Sequence, residues 1–212
     1  MRPFNKLFAT VVLVIAAPLF AAPAGAATEK VQTSPEEAAA FIDALSLEAL
    51  DALRADGATL AEREAKVRVI LRKSFDFQLI GRFVLGKAWR KASPEQREEY
   101  QSLFEEFVLL TYSRRLSGYT DETIKVVKAG PMGKQDAVVL TEISRPTGKP
   151  IKAGWRIREK DGAHLILDVI VEGVSMLTTQ RSEFQSTVRS KGLDGLLELL
   201  RMQVSKFSAQ PS

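Results

Sequence analysis

Asp168 and Glu172 stand four residues apart in a stretch that alternates like a β-strand, so both carboxylates project from one face. A pair of carboxylates on one face is the raw material of glycoside hydrolysis, one acting as acid and the other as base or nucleophile. His164 precedes them and is the only imidazole in the chain. No Ser or acid stands beside it to build a nucleophilic set. The same spacing fits a solvated sheet face or a hydrogen-bonded strand edge, and a structural role is expected for all three residues. Gly173-Val174-Ser175 lacks the second glycine of a nucleophile elbow. Neither a P-loop nor a G-x-G-x-x-G turn occurs. With no Cys, the chain has no disulfide, no thiolate metal site and no thiol nucleophile. No metal or cofactor is expected.

Charge gathers elsewhere. Between Arg63 and Lys91 stand nine basic residues, among them Arg68, Arg72 and Lys87, against only Glu64 and Asp76. This segment reads as a solvated helical surface, or as a patch that meets an acidic partner or anionic headgroups.

The N-terminus decides where these groups work. Arg2 and Lys6 precede an apolar run from Leu7 to Phe20, and Ala24-Gly25-Ala26 follows as a small-residue cleavage site. That is the pattern of a secretory signal peptide occupying residues 1–26. Pro18 interrupts the run, and a membrane span needs about 20 apolar residues. Cleavage after Ala26 removes two cations and no acid, which takes the formal net charge from +4 to +2. A near-neutral exported protein is a poor nucleic-acid binder, and none is expected as a partner.

The remaining chain, residues 27–212, has 45% hydrophobic residues across the full sequence and no long linker, which fits one domain. Ser34-Pro35-Glu36-Glu37, Thr59 to Glu62 and Ser93-Pro94-Glu95-Gln96 are helix starts. Phe41, Ile42, Leu45 and Ala49 follow the first at helical spacing. A short helix from Asp76 to Leu85 stops at Gly86, and the third start opens a long helix to about Leu116. Its apolar residues cover more than one stripe, so it packs on several sides or borders a cavity.

Beyond Thr120 the period falls to two. Strands are predicted at Thr123–Ala129, Asp136–Ser144, Pro150–Glu159 and Ala163–Gly173, joined by Gly- and Pro-rich turns. Ile151, Ala153, Trp155 and Ile157 share one face, as do Leu165, Leu167, Val169 and Val171. Two helical stripes flank Lys191-Gly192 at the C-terminal end. The expected fold is α+β: a four-stranded antiparallel meander covered on one face by helices from both ends of the chain. The apolar layers can pack shut or leave a cavity, and periodicity suits either outcome.

Two segments carry a resemblance. The first is Phe75-Asp76-Phe77, Val84-Leu85-Gly86, Trp89-Arg90 and Ala92-Ser93-Pro94-Glu95-Gln96-Arg97. The second is Asp168-Val169, Glu172 through Leu177, and Gly192-Leu193-Asp194-Gly195-Leu196. In order and spacing they resemble the MlaC-like exported phospholipid-binding proteins, also called the toluene-tolerance auxiliary component family, from roughly Ser34 to Phe207. His164 departs from the pattern, which often has an aromatic, commonly Trp, shortly before the Asp-Val pair.

The resemblance implies a monomeric periplasmic carrier that holds phospholipid acyl chains between helices and sheet. It would move lipid between an outer-membrane lipoprotein–porin complex and an inner-membrane ABC transporter carrying an MCE-domain protein. Some relatives are tied to hopanoid metabolism, so a polycyclic cargo is the alternative. On this reading the helical wall comprises Phe77, Ile80, Phe83, Val84, Phe104, Phe107, Val108 and Tyr112. Val139, Ile143, Trp155, Ile157, Val169 and Val171 form the sheet wall, and Arg68, Arg72 and Lys87 dock the partner. Two rival expectations are a secreted hydrolase using Asp168, Glu172 or His164, and an adaptor docking through its basic surface.

Overall fold

A computed structural model describes residues 32–118 and 121–209. The expected signal peptide and its cleavage site lie outside the described residues.

Most of the helices begin where a side chain satisfies their first free N–H groups. Ser34 caps α1 (Pro35–Leu53), accepting from the Glu37 N–H, with Pro at the first helical position. Reciprocal capping boxes open α2 (Leu60–Ser74), through Thr59 and Glu62, and α5 (Pro94–Leu116), through Ser93 and Gln96. Asp76 accepts from the Leu79 N–H at 2.9 Å to start α3 (Phe77–Leu85), and the short α4 (Lys87–Lys91) follows Gly86. Gly86 has φ +57°, a left-handed conformation that lets α3 stop and the chain turn at once. The last helix, α6 (Met176–Ala209), is broken at Gly192, whose φ of 73° and ψ of −179° interrupt the helical path between the two predicted stripes.

The strands β1 (Thr123–Met132), β2 (Asp136–Ser144), β3 (Ile151–Lys160) and β4 (Ala163–Val171) form the predicted antiparallel meander. A fifth strand, β5 (Val174–Ser175), corrects the expected four and pairs with the end of β4. Two residues are too few to show a period. A bulge also corrects the expected face of β4. Arg156 pairs with Asp168 but the next residue, Ile157, pairs with Ile166, leaving Leu167 as the extra residue. One inserted residue switches every position beyond it to the other face. Leu165 therefore lies opposite Arg158, and Ile166 takes its place inside, fully buried.

Two packing centres result. The helical one gathers Phe77, Val84, Leu85, Tyr100, Phe104, Phe184, Leu197 and Leu200 from α3, α5 and α6. Tyr100 stacks on Phe104 at 5.7 Å between centroids, and Phe184 meets Phe104 edge-on at 6.0 Å. The Tyr100 hydroxyl donates to the Gly81 carbonyl at 3.0 Å and the Gln101 amide to that of Phe77 at 2.6 Å, so α3 lies tight on α5. A Cβ at Gly81 would come within 2.9 Å of Phe104 and 2.8 Å of Gln101, which explains a glycine inside this helix. The second centre joins α1 to the sheet through Ala38, Ile42, Ala137, Val139, Ile157 and Ile166. Among the described residues Phe75 alone packs against both centres.

Candidate functional site

Between the two centres the structure is hollow. At one end of the sheet's inner face Ala137, Val139 and Ile157 are completely buried beneath α1. Toward the other end Ile143, Trp155, Val169 and Val171 face inward as well, yet each is only half-buried. They border a cavity of about 400 Å³, within the range typical of small-molecule sites.

Five helices and the sheet enclose it. α1 contributes Ile42, Leu45, Ala49, Leu50 and Leu53, and α2 contributes Val67, Ile70 and Leu71. Phe77, Ile80 and Val84 come from α3, and Phe104, Val108, Tyr112 and Leu116 run along α5. The sheet closes the opposite side. The beginning of α6 adds Met176, Leu177 and Gln180. Heptad-like stripes on α1 and α2 were visible as apolar faces, but nothing in their spacing distinguishes a side chain bordering empty space from one bordering protein.

Of the sequence-predicted wall, Phe77, Ile80, Val84, Phe104, Val108, Tyr112, Ile143, Trp155, Val169 and Val171 line this cavity. Four do not. Phe83 points outward, 44% exposed, beneath the Arg181 guanidinium at 4.5 Å. Phe107 packs against Phe184 in the helical core. Val139 and Ile157 belong to the closed end of the sheet.

Two polar groups of the lining, on Trp155 and Asp168, are occupied. The Trp155 indole N–H donates to the Thr141 hydroxyl at 2.9 Å, and that hydroxyl donates to the Ala153 carbonyl at 3.3 Å. Asp168, buried, accepts from the Ser175 hydroxyl at 2.6 Å and from the Leu177 N–H at 3.0 Å, which ties the start of α6 to β4. Burial pushes the Tyr112 hydroxyl above the ordinary phenol range.

The residues that suggested acid–base chemistry do not converge. Glu172 leaves the strand in a turn at φ +48° and accepts from the Lys152 N–H at 2.6 Å, whereas Asp168 serves the α6 start. His164 stacks on Phe41 at 5.9 Å with its Nε2 3.7 Å from Glu37, on the α1 side. Among the described residues no group of His, Asp and Glu is arranged to hold a metal ion.

The basic segment also divides. Arg68 pairs with Glu106, and Arg72 with Glu105 at 2.8 Å, so α5 neutralises these two expected docking cations. Lys87 is exposed on α4 and enters no such pair. Among the described residues no helix is long and apolar enough to cross a membrane.

A family model described as MlaC protein matches residues 43–202, most of the chain and both walls of the cavity. The chain belongs to the MlaC family. It is 25% identical over 135 residues to the intermembrane phospholipid transport system binding protein MlaC of Haemophilus influenzae, a match covering 62% of this chain. The chain spans 63% of the length of that curated MlaC relative. Among solved structures it resembles the phospholipid-binding protein of Ralstonia solanacearum, determined in complex with a phospholipid. That match has a TM-score of 0.71 at 20% identity and covers 81% of this chain and 98% of the other. It shows the MlaC-type fold.

Proposed function

We propose that this protein is a periplasmic lipid carrier that holds phospholipid acyl chains in the cavity between helices and sheet. The observation that carries the reading is the hollow itself, walled mostly by aliphatic and aromatic side chains, with Trp155 and Asp168 hydrogen-bonded within the protein. Hydrocarbon transferred from a bilayer into such a space loses little, whereas exposure to water costs about 0.8 kcal/mol for each methylene. A carrier needs no reactive residue for this work. It needs a wall as apolar as the bilayer and a mouth that leaves the headgroup in water. The relatives named as phospholipid-binding and phospholipid transport proteins support the same reading.

The N-terminal pattern of Arg2, Lys6, the apolar run and Ala24-Gly25-Ala26 supports export with cleavage after Ala26, leaving residues 27–212 as a monomeric lipid-binding domain. In that compartment the carrier would exchange lipid between an outer-membrane lipoprotein–porin complex and an inner-membrane ABC transporter with an MCE-domain protein. Lys87, free of the α5 glutamates, is the docking cation of this proposal; Arg68 and Arg72 contribute little while paired. A hopanoid-type cargo is the alternative occupant of the same space.

Native mass spectrometry of the purified protein, followed by lipid extraction, tests the proposal. A stoichiometric phospholipid adduct is expected, and its loss in a cavity-filled variant. Protein that purifies without lipid and takes none from mixed micelles overturns the carrier reading.

A further inference from the structure

The sheet's inner face changes character abruptly at one end of the cavity. Ile124 pairs with Ile143 across β1 and β2, and Ile143 pairs with Ile151 across β2 and β3. The three isoleucines form one row, and all three line the cavity. A strand returns to the same face every second residue. Just past the strand ends the chain carries Glu122 two residues before Ile124 and Arg145 two residues after Ile143, and Lys149 stands in the turn between β2 and β3. The change from hydrocarbon to charge thus occurs within about 7 Å at the start of β1 and at the β2–β3 turn.

Two of these three residues belong to the cavity wall, and Lys149 stands beside them in the turn. Glu122 and Arg145 both line the cavity, and the register that pairs Thr123 with Ser144 sets them across from each other just beyond the ladder. Arg145 is exposed, donates to the Lys149 carbonyl at 2.8 Å and enters no ion pair among the described residues. Arg54, capping the end of α1, donates to the Glu122 carbonyl at 2.6 Å and holds that segment against α1. The other charged group in the lining, Asp168, is occupied by Ser175 and Leu177. An apolar hollow whose wall ends in Arg145 and Glu122, with Lys149 on the turn that Arg145 holds, suits a molecule with a hydrocarbon body and a phosphate at its end.

We infer that Arg145 and Lys149 form a collar for the phosphate of a phosphate-bearing lipid headgroup, with Glu122 placed to receive a headgroup ammonium. The inference rests on the carrier reading and deepens it, because it makes the carrier selective for headgroup charge as well as for hydrocarbon. A guanidinium offers a phosphate two parallel N–H donors, the geometry in which charge-assisted hydrogen bonds are strongest. A neutral lipid with the same chains leaves those donors to water. The collar therefore favours phospholipids over diacylglycerols and over uncharged polycyclic lipids.

The test is competition among lipids with identical acyl chains. The full chain is incubated with micelles containing equal amounts of phosphatidylethanolamine, phosphatidylglycerol and diacylglycerol, and the adducts are counted by native mass spectrometry. Wild type should prefer each phospholipid over diacylglycerol by about tenfold or more, the size of one charge-assisted contact. R145E/K149E should lose most of that preference while still binding lipid, and its exposed positions leave folding intact. E122Q should lower phosphatidylethanolamine relative to phosphatidylglycerol alone. Equal uptake of all three lipids by wild type, or an unchanged preference in R145E/K149E, overturns the collar and leaves the carrier standing. Uptake of none overturns the carrier reading, and the collar with it. Inorganic phosphate added alone should give no adduct; an adduct abolished by R145E would reassign the collar to free phosphate.

Discussion

The Trp155 indole donates to the Thr141 hydroxyl across the β2–β3 ladder at 2.9 Å. The bond satisfies the polar atom of the largest side chain in the sheet wall, so the ring offers the cavity carbon alone. Thr141→Val, nearly the same shape, removes the acceptor and leaves an N–H beside hydrocarbon. A loss of about 1 kcal/mol in urea unfolding is expected, toward the low end for such deletions because Trp155 is only half-buried. Lipid uptake should fall as well, since the indole then turns to keep a partner. No change in either measurement would show that the bond is incidental.

Filling the hollow should separate binding from stability. Val171→Trp and Ala49→Trp add bulk where protein is absent. Their unfolding free energies should stay within about 1.5 kcal/mol of wild type, because nothing need be displaced. Val139→Trp adds the same bulk at the closed end, where the side chain is completely buried, and should cost about 1–3 kcal/mol or more. Lipid adducts should vanish in the first pair. Retained lipid together with severe destabilisation of Val171→Trp would mean that the space is not hollow.

Asp168→Ala tests the structural role of a residue that looked catalytic. The substitution strips the Ser175 hydroxyl and the Leu177 N–H of their acceptor at the start of α6. A destabilisation of about 1–3 kcal/mol is expected. Asp168→Asn keeps one acceptor oxygen and should recover part of it. Hydrogen exchange at the α6 start, measured by mass spectrometry, should rise in Asp168→Ala before it rises in α5.

Alkaline pH should unfold the protein through two buried phenols. Burial raises Tyr112, and raises Tyr100 well above its ordinary range. A group whose pKa is higher folded than unfolded retains its proton longer in the folded state, so folding is progressively disfavoured as pH climbs past the unfolded value of about 10. The stabilisation is complete below that pH and is lost above it. Tyr112→Phe should therefore flatten the fall in unfolding free energy between about pH 9.5 and 11. An unchanged slope would show that Tyr112 ionises without cost.

Much of this fold is legible in the sequence because its elements advertise themselves. Ser34, Thr59 and Ser93 are capping residues, and the structure uses each as a cap. The period-two stretches give the meander and the inward face of β3 directly. The β4 bulge is not legible, because Leu165, Ile166 and Leu167 are alike in chemistry and only pairing with Arg156 and Ile157 decides which of them turns inward. The cavity is hidden for a related reason. Val139 and Ile143 sit on one strand and one face, both are branched aliphatics, and only the position of the helices above makes one core and the other wall. The rim is hidden differently: Arg145 and Lys149 share one turn, but Glu122 becomes their neighbour only once the β1–β2 register is known.

Phe75 packs against two interiors, one among α3, α5 and α6 and one between α1 and the sheet. Close-packed interiors transmit strain instead of absorbing it. A side chain shared by both therefore carries a disturbance of one into the other, and Phe75 is where a change on the helical side is felt at the sheet.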